Sequence, residues 1–67
     1  GVIRVAGAEH PWRPGMTVAA LLEELAGDAS DCPVVRVNDA YISRPNFMKT
    51  LVPDNAEVFL IPMIAGG

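Results

Sequence analysis

The 67-residue chain contains one cysteine, Cys32, and one histidine, His10. A single cysteine cannot close an internal disulfide, and small secreted domains usually depend on several. The expectation is a reducing, cytoplasmic compartment. One histidine and one cysteine assemble neither a zinc-type ligand set nor a nucleophile triad, so no metal site is expected. Basic residues are few and scattered: Arg4, Arg13, Arg36, Arg44 and Lys49, no two adjacent, in a chain of net charge −3. Nucleic acids are bound through a basic face, so this class of partner is excluded. No apolar run approaches the ~18 residues of a membrane span, and the first residues carry no signal-peptide pattern. Aromatic residues are only 6% of the chain, so its core must be aliphatic.

What is present is globular. Hydrophobic residues make up 51% and charged residues 19%, whereas disordered chains are poorer in aliphatics and more highly charged. The length suits a single small domain. Residues 2–6 alternate and predict a strand with Ile3 and Val5 inward. Gly7-Ala8 reads as a tight turn, and residues 9–13 as a return strand held to an edge by Pro11. Thr17 is a candidate helix N-cap. Val18, Leu21, Leu22 and Leu25 fall at i, i+3, i+4 and i+7, one face of a helix over 18–26. Glu23 and Glu24 lie off that stripe and are expected in solvent, as are the Asp28 and Asp31 acids. Gly27 is placed to end the helix in a left-handed conformation.

Val35 and Val37 predict a third strand facing inward, with Arg36 on its other side. Asn38-Asp39 is a turn, and Tyr41-Ile42 begins a short return strand. Arg44-Pro45-Asn46 interrupts it, and residues 47–51 read as a short helical turn. Pro53-Asp54-Asn55 is a further turn. Residues 57–64 are the last strand, β-rich enough to lie inside the sheet, with pairing expected to stop near Pro62. The order β-β-α-β-(β)-β predicts an α+β layer, a sheet of four to five strands with one helix across it. Domain 1–64 would then carry a slim tail, residues 65–67.

Val35-Arg36-Val37-Asn38 with Ile42-Ser43-Arg44, the run Val52 to Val58, and Ile64-Ala65-Gly66-Gly67 together resemble the ThiS/MoaD family of sulfur carriers. The likeness covers essentially the whole chain, and the compact length is closer to ThiS. The strand Phe59 to Ile64 departs from any single subfamily pattern. The resemblance implies the ubiquitin-like β-grasp fold with a mixed sheet. It also implies that Gly67 is the reacting residue. Its carboxylate would be adenylated with ATP by an enzyme related to ubiquitin-activating enzyme, then converted to a thiocarboxylate. The acceptor would be a thiazole synthase in thiamine biosynthesis, or a molybdopterin-synthase-like large subunit. No permanently bound cofactor and no intrinsic catalysis are implied. A ubiquitin-like modifier or plain interaction module stays open as another class.

Glycine lacks a Cβ, so Gly66-Gly67 presents an unhindered carbonyl, with Ala65 adding slenderness. Extended, residues 62–67 would reach ~20 Å at ~3.3–3.6 Å each. If Val58 and Leu60 face inward, Phe59, Ile61 and Met63 face outward, an apolar patch suited to a partner. A slip of one residue would exchange the two sets. Cys32 reads as a partly buried thiol, His10 as a surface strand residue and Trp12 as a core anchor. Asn38 and Arg44 read as hydrogen-bonding supports of the central hairpin, with partner binding a secondary role for Arg44.

Overall fold

The computed structural model describes residues 1–25, 27 and 31–62. Their elements are β1 (Val2–Val5), β2 (Ala8–Pro11), α1 (Val18–Leu25), β3 (Val34–Val37), β4 (Ala40–Ser43) and β5 (Glu57–Ile61). The five strands form one sheet in the order β2-β1-β5-β3-β4. β1 and β5 run parallel, and the other neighbours are antiparallel. With one helix packed on this mixed sheet, the fold is the α+β β-grasp that the element order predicts. β5 occupies the centre and β2, ending in Pro11, an edge. Proline has no N–H to give a ladder and so suits that edge.

The first hairpin turns one residue earlier than expected, at Ala6-Gly7 rather than Gly7-Ala8. Both residues have positive φ, 51° and 86°. Two left-handed residues give the turn whose twist matches the strands it joins. Gly7 takes that conformation freely, and Ala6 takes it against its own preference. The second hairpin turns at Asn38-Asp39, with Asn38 at φ 52°. Asparagine tolerates this region better than most residues. Asn38 also bonds twice to the start of β5: its N–H donates to Glu57 O at 2.7 Å, and its Oδ1 accepts from Glu57 N–H at 3.0 Å. The support expected inside one hairpin thus joins that hairpin to the central strand.

The helix begins where Thr17 predicts, and each early N–H finds an acceptor. Val18 N–H donates to Thr50 O at 2.9 Å and Ala19 N–H to Phe47 O at 3.1 Å. Ala20 N–H donates to Thr17 Oγ1 at 3.1 Å, and Leu21 N–H to Thr17 O at 3.0 Å. A buried helix start needs such partners, because its first N–H groups have none within the helix. The loop 47–50 supplies two of them. Gly27, just beyond α1, has φ 59°, as the stop signal predicts. The short helical turn lies earlier than expected, on Arg44–Asn46, with Pro45 at its start. Proline fixes the φ this position needs.

The core is aliphatic. Ile3 and Val5, Val18, Leu21 and Leu22, Val35 and Val37, Val52 and Val58 are buried together with Met16, Phe47 and Ala56. Leu25, Leu60 and Trp12 pack against them from the margin. The Trp12 indole N–H donates to Val52 O at 2.6 Å, closing the core beneath the first hairpin. A hydrogen bond of this kind contributes about 1 kcal/mol net, beyond the area the ring covers.

Candidate functional site

Strand register decides which side chains share a face. On β5, Val58 is fully buried and Leu60 packs on the core, while Phe59 and Ile61 lie on the opposite side of the sheet. Phe59 is paired with Arg36, and Arg36 with Tyr41. Ile61 is paired with Val34, and Val34 with Ser43. These two rows form the outer face beside the end of β5, where the chain leaves the sheet at Pro62. The next row back is charged, with Arg4 between Glu9 and Glu57. Arg4 and Glu9 approach to 4.0 Å as an exposed pair, worth at most about 1 kcal/mol.

The outward residues are less bare than the alternation implies. Phe59 and Ile61 are half-buried. The cause for Phe59 is Arg36, whose guanidinium carbon stands 4.5 Å from the ring centroid. Tyr41, at the far end of the same row, is 67% exposed. Leu51 and Met48, also prominently exposed, sit outside the sheet. Met63, Ala65, Gly66 and Gly67, the other candidate site residues, lie outside the described residues.

On the core side of the first hairpin there is a polar contact that helical periodicity did not disclose. His10 is half-buried on β2, with Nε2 2.9 Å from Glu24 Oε1, and Arg13 pairs with the other carboxylate oxygen. Glu23 and Glu24 are both exposed as the stripe predicts, and Glu24 in addition ties α1 to the end of β2. The hydrogen bond from His10, then Arg13, holds the Glu24 carboxyl below the usual carboxylate range. A lowered folded-state value means the contact stabilises above the unfolded-chain value of about 4.3 and is lost as pH falls through the lower folded one. The thermal midpoint of the wild type is therefore expected to fall more steeply below about pH 5 than that of Glu24→Gln. Parallel midpoint-against-pH curves would refute this.

Cys32 is buried, deeper than its loop position suggested. Its carbonyl accepts from the Arg44 guanidinium, and Arg44 also stacks 5.2 Å from the Phe47 ring. Arg44 N–H donates to Pro33 O at 3.1 Å, so this arginine braces the entry to β3. Reactive thiols are partly exposed in electropositive surroundings, and Cys32 is in the core margin. Among the described residues, no group of three or more His, Cys, Asp and Glu could hold a metal ion, and no helix is long and apolar enough to cross a membrane.

Comparison with curated proteins finds no match. A family model described as "ThiS family" matches residues 2–67. That span takes in every strand, the helix and the two last glycines, so the chain belongs to the ThiS family, whose members are small sulfur carrier proteins.

Proposed function

We propose that this carrier serves thiamine biosynthesis and that its working group is the Gly67 carboxylate. A carboxylate is a poor electrophile. A partner enzyme related to ubiquitin-activating enzyme joins it to AMP, with pyrophosphate leaving from ATP. A sulfur nucleophile then displaces AMP at the acyl carbon, leaving a C-terminal thiocarboxylate. Thiazole synthase takes the sulfur from that group. The chain is the substrate of these steps and supplies no catalysis of its own.

The observation that supports this most is the position of β5. The strand is central, paired with β1 at Glu57 and Val58 and with β3 from Val58 to Ile61, so the chain is held in the sheet up to the residue before Pro62. A rigid base of this kind fixes where a short tail can search. The outer face with Phe59, Ile61 and Met63 is read as the surface on which the activating enzyme docks. Incubation with the cognate adenylating enzyme, ATP and a sulfur source is expected to add the mass of one sulfur less one oxygen, located at Gly67 by fragmentation. An unchanged mass would overturn the reading.

The second reading keeps the chemistry and changes the acceptor to a molybdopterin-synthase-like large subunit. The sequence of residues 59–64, at which family members vary, favours keeping it. Sulfur transfer to purified thiazole synthase, against transfer to that subunit, separates the two. A ubiquitin-like modifier would instead form isopeptide bonds from Gly67 to lysines.

A further inference from the structure

The outer face holds a cation with no counter-charge. Arg36 Nε is buried and meets no acceptor, and no carboxylate ion-pairs with the residue among the described residues. Buried donors are nearly always satisfied, and leaving one unpaired costs stability. The acids sharing this face are one row away, where Arg4 stands between them and already approaches Glu9. Around Arg36 the neighbours are apolar or aromatic: Phe59 beneath it, Tyr41 beside it, Val34 and Ile61 in the next row. Stacking on Phe59 holds the guanidinium plane in place before any partner arrives.

We infer that Arg36 selects the docking partner, by taking a side-chain carboxylate set in an apolar surface of the adenylating protein. This rests on the reading of the outer face as the docking surface. A carboxylate matches what the site offers, since the two Nη groups at the outer edge of a guanidinium each point an N–H the same way and bind its two oxygens together, with Nε left buried on the protein side. A nucleic acid would need a basic face, and here one guanidinium stands in a chain of net charge −3. The Phe59 ring beneath the guanidinium and the row of Val34 and Ile61 on one side shield the pair from water and raise its contribution. They also make the same arginine costly against a partner that presents an apolar or basic group there, which gives discrimination as well as affinity.

The test is ATP–pyrophosphate exchange by the cognate adenylating enzyme, with the carrier concentration varied. Arg36→Glu is expected to raise the KM for carrier about tenfold or more and leave kcat unchanged. Arg36→Lys should recover little of that loss, because an ammonium lacks the paired N–H groups. Added salt should raise the wild-type KM and leave that of Arg36→Ala nearly flat. Thermal midpoints establish that each variant is folded, and Ile61→Ala stands in should Phe59→Ala not fold. If Phe59→Ala or Ile61→Ala raises KM while every Arg36 variant stays within about twofold of wild type, the role of Arg36 is overturned and the docking face stands. If none of them changes KM, the face itself is wrong and the inference falls with it. A loss in kcat alone would also overturn it, since docking is then not what Arg36 governs.

Discussion

A chain shortened by Gly66 and Gly67 is expected to take up no sulfur at all, while unfolding at the same temperature as the full chain. The two halves of that result come from different parts of the molecule. Among the described residues strand pairing ends at Ile61 and the core takes in nothing beyond Leu60, so the deletion leaves that ladder and core intact. On the proposed function it withdraws the carboxylate that reacts by up to about 7 Å and places it on Ala65, whose Cβ crowds the acyl carbon. Intact mass after incubation with the adenylating enzyme, ATP and a sulfur source is the measurement. Sulfur on the shortened chain would mean that the reactive group is not Gly67. A lowered unfolding temperature would mean that the last residues support the domain.

Leu21→Ala is expected to destabilise the domain by about 2–5 kcal/mol. Leu21 has no exposed surface and lies among Ile3, Val18, Val35, Val52 and Val58, all of them under 2% exposed. Aliphatic side chains so closely surrounded cannot collapse fully into the space a leucine leaves. Small domains have total stabilities near the low end of about 5–15 kcal/mol, so one substitution removes much of the reserve. At roughly 4–8 °C per kcal/mol for a chain of this size, the unfolding midpoint should fall by more than about 10 °C. Glu23→Ala on the exposed side of the same helix should change the stability by less than about 0.5 kcal/mol. A loss under about 1 kcal/mol for Leu21→Ala would show that α1 is not seated on the sheet as described.

The elements most legible in the sequence were those whose cause is local. The stripe Val18, Leu21, Leu22, Leu25 and the cap at Thr17 specify the helix and its buried side without reference to the rest of the chain. Alternation at Val35-Arg36-Val37, and proline at 11 and 62, likewise mark strands and their limits. The errors were displacements, of one residue at the first hairpin and of three at the short helical turn. Ala6 gives no sign that it will take positive φ, because the hairpin's twist imposes it. The turn at Arg44–Asn46 owes its place to Pro45, which was read as a break and not as a helical start.

Of the candidate site, only the alternation along the last strand was readable. That Arg36 covers Phe59 depends on β3 lying beside β5, and so on the order of strands in space. The same holds for Glu24, which meets His10 across 14 residues of sequence. No periodicity within a helix records a contact of that range.

The parallel pairing of β1 with β5 carries a consequence for how the molecule is made. The first strand waits for the last, and until synthesis has passed Ile61 and that stretch has cleared the ribosome, β1–β2 and β3–β4 are two hairpins with a gap between them. Folding is therefore held back until β5 has been made and depends on contacts distant in sequence. A prematurely terminated product would lack the strand that joins the hairpins and would remain open to proteolysis. Compact copies thus come only from chains extended through β5.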